Sequence, residues 1–232
     1  MLHLYLSYFC ALQSPPLVAE RKAALFTSLA ELRREPTPAG RDAVLYAIAD
    51  LEQCQINDAP PDGRWALIFS TQATPPDPNR RGDSLLQPLI DATYATFFKF
   101  APQLAGAQQD GGARGGGNNE QSLSLSTGIV ENRVRIPLPS QIGGSLEIFV
   151  DGEVEVGEAA DELRVTFSEC SFRLRERGAA AVSGREGALR VPLPRPVGAL
   201  RTTHCDDELR VSRGGRGGVF VLRRLKGAPP LS

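Results

Sequence analysis

Leu146-Glu147-Ile148-Phe149-Val150-Asp151-Gly152-Glu153-Val154-Glu155-Val156 is the stretch that decides the fold. Leu146, Ile148 and Val150 recur at every second position, and Val154 and Val156 continue the series between Glu153, Glu155 and Glu158. Successive side chains of a strand point to opposite faces, so a period of two means one apolar and one charged face. Asp151-Gly152 reads as a tight turn joining two such strands.

The pattern extends both ways. Upstream, Val134, Ile136 and Leu138 alternate with Arg133 and Arg135. Downstream, Leu163, Val165 and Phe167 predict one strand, Phe172 and Leu174 another, and Leu189, Val191 and Leu193 a third. Leu209 and Val211, four glycines, then Val219-Phe220-Val221-Leu222 predict a final hairpin. Gly63-Arg64-Trp65-Ala66-Leu67-Ile68-Phe69-Ser70-Thr71 adds a strand with Trp65, Leu67 and Phe69 on one face. About eight or nine antiparallel strands with one buried side result. A sheet of that size tends to close, and a barrel of about eight strands has room for one apolar ligand.

Two helices precede the strands. Val18, Leu25, Leu29 and Leu32 make one apolar stripe over Leu17 to Arg34. Glu35-Pro36-Thr37-Pro38 breaks it, and Val44, Ile48 and Leu51 mark a second helix from Arg41 to Gln53. Ser84 to Phe100 is the most aromatic segment, with Leu86, Ile90, Thr93 and Phe97 on one helical face, and it is expected to lie across the barrel mouth. The expected division is an apolar tail 1–16, a helical hairpin 17–56, a barrel 57–226 with a flexible glycine-rich insertion at 106–120, and a tail 227–232.

Composition narrows the function. The chain has 232 residues, 41% hydrophobic and 23% charged, with net charge −1. That balance disfavours nucleic-acid binding, which needs a basic surplus. Cys10, Cys54, Cys170 and Cys205 lie in no CxxC and read as free thiols. No stretch reaches the roughly 18 apolar residues of a membrane-spanning helix. The opening Met1 to Cys10 is apolar but lacks the basic residues of a secretory signal and the Arg and Ser of a transit peptide.

Chemistry-bearing residues are sparse. His204-Cys205-Asp206-Asp207-Glu208 has the look of a metal or catalytic cluster, but neighbours on a strand diverge, and no HExxH or GxSxG accompanies it. Capping carboxylates are the expected role there. Arg213-Gly214-Gly215-Arg216-Gly217-Gly218 resembles one RGG copy and reads better as a turn. The 111–117 glycine run has no Gly-Lys-Ser/Thr ending, so phosphate cradling is unsupported. Glu147, Glu155 and Asp161 read as scattered carboxylates without a triad, and no cofactor or metal is expected.

Two motifs resemble the plastid-lipid-associated protein (PAP/fibrillin) family. Gly63-Arg64-Trp65-Ala66-Leu67-Ile68-Phe69-Ser70-Thr71 is similar to its GxWxLxYT strand. Asp206-Asp207-Glu208-Leu209-Arg210-Val211-Ser212-Arg213-Gly214 with Val219-Phe220-Val221-Leu222 is similar to its LDEDLRISRG…FVL ending. Thr127-Gly128-Ile129-Val130-Glu131-Asn132 fits the family's order, so the resemblance runs from about Pro16 to Leu225. Thr203-His204-Cys205 and the glycine-rich insertion depart from it.

The resemblance implies a mainly β fold, an antiparallel lipocalin-like β-barrel. It implies a non-enzymatic plastid protein that binds or carries an apolar lipid, such as a prenylquinone or carotenoid, at plastoglobules or thylakoids. The alternative is a structural coat, or a dock for a plastid lipid-biosynthesis enzyme, with no internal ligand. Expected ligand contacts are Trp65, Phe69, Phe97, Phe149, Phe167 and Arg223, the last by cation–π contact over Trp65. Gly63, Trp65, Asp206, Arg210, Arg213 and Gly214 are the family marks.

Overall fold

In the computed structural model, residues 15–54, 56–71, 118–138, 143–159, 161–175, 187–193, 195, 197–215 and 217–225 are described. The helix expected over 84–100, Phe97 with it, lies outside them, as does most of the 106–120 insertion and the tail 1–14. The chain divides into two compact units, Met1–Ile56 and Asn57–Ser232.

The first unit holds α1 (Pro15–Arg34) and α2 (Pro38–Glu52). Thr37 caps α2, its hydroxyl accepting from Gly40 N, and Pro38 fits the first turn, where no backbone donor is needed. So α2 starts three residues before the expected Arg41. Leu25, Leu29 and Leu32 of α1 and Val44, Ile48 and Leu51 of α2 are buried, as the helical spacing requires. Arg21 ties the helices by donating to Asp50 O at 2.7 Å and pairing with the Asp50 carboxylate at 3.2 Å.

The second unit is one antiparallel sheet of nine strands: β1 (Gly63–Ser70), β2 (Asn118–Ser124), β3 (Ile129–Pro137), β4 (Ser145–Val156), β5 (Glu162–Arg175), β6 (Leu189–Pro192), β7 (Val197–Cys205), β8 (Leu209–Gly214) and β9 (Val219–Arg224). Their order is β4-β3-β2-β1-β9-β8-β7-β5-β6, and β4 also pairs with β5. Eight strands therefore ring back on themselves, with β6 attached to β5 beyond the ring. β2 begins at Asn118, so the last residues of the expected flexible insertion are strand.

Two expectations about strands are corrected. Asp151-Gly152 is no turn: β4 runs straight through it to Val156, and the chain reverses only between Gly157 and Glu162. Likewise Leu163 to Leu174 is a single strand, β5, carrying a bulge opposite Asp151/Gly152. Apolar residues fall at odd positions through Phe167 and at even positions from Cys170. One extra residue absorbs that change of parity and keeps both sets on one face.

Candidate functional site

Strand pairing sorts side chains onto two faces, because paired residues point the same way. One row runs Trp65, Gln121, Asn132, Val150, Cys170, Val191 across β1 to β6. This Trp65 face carries three apolar clusters. Leu123, Val130, Val154, Leu163 and Val165 form one, with Phe167 against it. Ile148, Val150 and Cys170 form the second, also touched by Phe167. Trp65, Cys205 and Leu222 form the third.

Trp65 is fully buried. Its indole Nε1 donates to Pro61 O at 2.8 Å. Two guanidinium groups lie against its ring, Arg224 at 4.1 Å and Arg210 at 5.0 Å from the centroid. Both arginines also tie down the segment before β1. Arg210 donates to Pro61 O at 3.1 Å and to the Gln121 side-chain carbonyl, and Arg224 donates to Asp62 O at 2.8 Å and Pro60 O at 3.2 Å. Burial pulls the Arg210 guanidinium down to about 10, so it stays cationic at neutral pH.

The cation–π partner expected from Arg223 is thus Arg224, with Arg210. Arg223 pairs with Ala66 and Leu209 in register, on the opposite face, and meets Glu208 at 3.3 Å. Gly63 belongs to the same node. It sits at φ 112°, and a Cβ there would lie 2.8 Å from Arg224 Nη1. The Gly-x-Trp spacing therefore seats a guanidinium over the ring as well as turning the backbone.

Other expected residues scatter. Phe167 shares the Trp65 face, while Phe69 and Phe149 do not. A bulge between Leu67 and Phe69 pairs Phe69 with Val221 and turns it to the opposite face. Phe149 pairs with Arg133 and Ser171 on that opposite face, beneath the guanidinium groups of Arg173 at 5.4 Å and Arg133 at 5.5 Å.

Asp206 caps the turn before β8, its Oδ1 accepting from Glu208 N and Leu209 N, both at 2.8 Å. Its Oδ2 lies 3.2 Å from Nε2 of the buried His204. Arg213 is exposed and Gly214 closes the last hairpin, its N donating to Gly218 O at 2.7 Å. Of the turn glycines, Gly217 takes the positive φ, at 80°. Among the described residues no group of three His, Cys, Asp or Glu can hold a metal ion.

The sequence reading missed Glu147. Its side chain is fully buried under arginines from both neighbouring strands. Oε1 accepts from Arg133 at 2.6 Å and Arg135 at 3.0 Å, with Arg175 at 3.7 Å; Oε2 accepts from Arg173 through Nε at 3.0 Å and also through Nη2. Burial alone would raise this carboxyl, but hydrogen bonds from Arg173, Arg133 and Arg135 outweigh it and hold the group at about 2. Its signal was the charge at the even-stepping positions 133, 135, 173 and 175 opposite a lone acidic Glu147. That signal becomes visible only once β3–β4–β5 register is known.

Such a fold, an eight-strand antiparallel ring with an apolar face and one tryptophan held by two arginines, defines a β-sheet protein with a surface suited to apolar contacts. The PAP_fibrillin family model matches residues 92–223, more than half of the chain, and the protein belongs to that family. No curated protein matches it. No helix among the described residues is long and apolar enough to cross a membrane.

Proposed function

We propose that the protein is a non-enzymatic, plastid lipid-associated protein that holds one apolar lipid against the Trp65 face, with the ring forming a lipocalin-like barrel. A prenylquinone or carotenoid is the class of ligand meant, and plastoglobules or thylakoids are its place of work. Family membership supports the lipid association. The observation that carries the ligand is incomplete covering of the apolar face. Leu67, Val134, Ile136, Leu146, Phe167, Phe172 and Leu200 pack against the clusters yet stay only partly buried. A face filled by its own side chains would bury them. Each further 100 Å² of such surface taken from water favours binding by about 2.5 kcal/mol.

The test is mass spectrometry of lipids that stay with the protein through purification, followed by titration of delipidated protein with a prenylquinone. Trp65 is the chain's one tryptophan, so quinone quenching of its emission reports binding at this face. Retained lipid and saturable quenching are expected. Neither being seen would leave the coat or enzyme-docking reading in its place.

A further inference from the structure

Arg210 is a buried cation whose partners carry no charge. It donates to Pro61 O and to the Gln121 side-chain carbonyl, and Arg224, which shares the Trp65 ring with it, donates to Asp62 O and Pro60 O. All four acceptors are neutral. The carboxylates of the same segments turn elsewhere: Asp62 Oδ1 accepts from Leu125 N at 2.7 Å, and Glu208 meets Arg223 on the opposite face. Burial raises the Cys205 thiol, so it stays protonated and supplies no negative charge either. A cation taken out of water without a counter-charge is costly, and two of them against one ring also repel each other.

Donors on the same face also lack acceptors. Arg210 Nε, Arg224 Nε and the Thr202 hydroxyl are buried with no hydrogen-bond partner in the protein. Register puts all three on the Trp65 face: Arg224 pairs with Trp65, Arg210 with Leu222 and Cys205, and Thr202 with Ser212, two residues along β8 from Arg210. Leu67 and Phe220 are on that face too, packed against the Trp65 cluster yet only partly buried. A free inorganic ion would make no use of this apolar surface. A carboxylate on an apolar chain uses both, because its two oxygens match a guanidinium edge and a hydroxyl while the chain covers the leucine and phenylalanine.

We infer that the Trp65 face binds a long-chain carboxylate, whose head accepts from Arg210 and Thr202 and whose chain lies along Leu67 and Phe220. The inference rests on that face holding an apolar molecule, as proposed above, and it specifies the polar end such a molecule carries. A pure hydrocarbon would leave the three donors as they are and the Arg210 charge uncompensated.

The experiment titrates the delipidated full chain with cis-parinarate, a fluorescent long-chain carboxylate that takes up tryptophan emission, and separately with its methyl ester. Energy transfer from Trp65 reports both. At neutral pH the acid is expected to bind about tenfold more tightly than the ester, since only the acid makes charge-assisted hydrogen bonds. Thr202→Val keeps the side chain's shape; it is expected to melt as the wild type does, to bind the acid about threefold more weakly and to bind the ester unchanged. Arg210→Met is expected to bring the two affinities level. Because Arg210 also holds Pro61 and Gln121, the wild-type comparison and Thr202→Val decide the matter if that variant does not fold. Equal affinities, or tighter binding of the ester, overturn the inference, as does an acid preference untouched by Thr202→Val. Quenching by a prenylquinone alongside any of these removes the carboxylate alone and leaves the proposed function standing. No signal from acid, ester or prenylquinone removes both.

Discussion

Glu147 is held by four cations, so its charge and the fold are linked. Its folded value of about 2 lies below the ordinary 4.5, which means the native state prefers the ionised form. That contribution is fully present above the unfolded value and is lost as pH falls from about 4.5 toward about 2. Melting temperatures of the wild type are expected to drop steeply through that window, and those of Glu147→Gln to drop less. At neutral pH the same substitution leaves guanidinium groups without their anion. Its cost is expected near the lower end of the about 3–5 kcal/mol seen when a buried pair is broken, because the arginines are partly exposed. Denaturant unfolding measures it. At the other node, Trp65→Ala is expected to cost about 3–5 kcal/mol and to abolish lipid retention, since it empties the seat of Arg210 and Arg224. Unchanged unfolding would contradict this. The burial of Trp65 follows the alternation of Trp65, Leu67 and Phe69 after Gly63 in the sequence. The identity of its partner, Arg224 rather than Arg223, depends on register at β1, which no local pattern records.

Strands in this protein are longer than their apolar runs imply, because bulges repair breaks in period. β1, β5 and β7 each pass one extra residue, between Leu67 and Phe69, opposite Asp151/Gly152, and between Thr202 and His204. In the sequence a change of parity looks the same as a turn, so β5 reads as two strands. In β4 the opposite error arises: Asp-Gly is good turn chemistry, yet Leu146 to Val156 keeps even parity throughout, and parity was the better guide. Gly152 has a different use. A Cβ there would lie 2.4 Å from Thr166 O and 3.0 Å from Phe167 Cα, so the glycine lets two backbones approach at the bulge. Gly152→Ala is expected to destabilise by about 1–3 kcal/mol, against little effect for alanine at Gly198, which has open space around it. A neutral Gly152→Ala in thermal melts would sink that explanation.

At the scale of the whole molecule, the antiparallel β class and the family were legible, since alternation and short motifs survive without knowledge of pairing, while the strand total agrees only because β4 and β5, each read as two strands, offset β2 and β7, which the alternation did not mark. The charged cluster was not, because its arginines lie on the strands either side of β4, 12 to 28 residues from Glu147 in sequence, and only folding brings them together. Three of the four cysteines lie among the described residues, and Cys10 lies outside them. Cys54, Cys170 and Cys205 are free and buried. Burial, followed by Asp151 and Glu169, pushes the Cys170 thiol up to about 11, and burial raises that of Cys205. Thiol labelling of native protein, mapped by peptide, is expected to spare both until the ring is unfolded. Rapid native modification would refute the burial. The ring itself is closed unevenly. β5 pairs with β7 only from Glu162 to Thr166, and its other half is edged by the four residues of β6, all exposed. Measured as hydrogen exchange, the sheet will not behave as one unit: the amides of β6 and the β5 residues facing it open first, while those of β8 and β9, paired on both sides, wait for global unfolding. The molecule has a seam, and the seam runs beside its arginines.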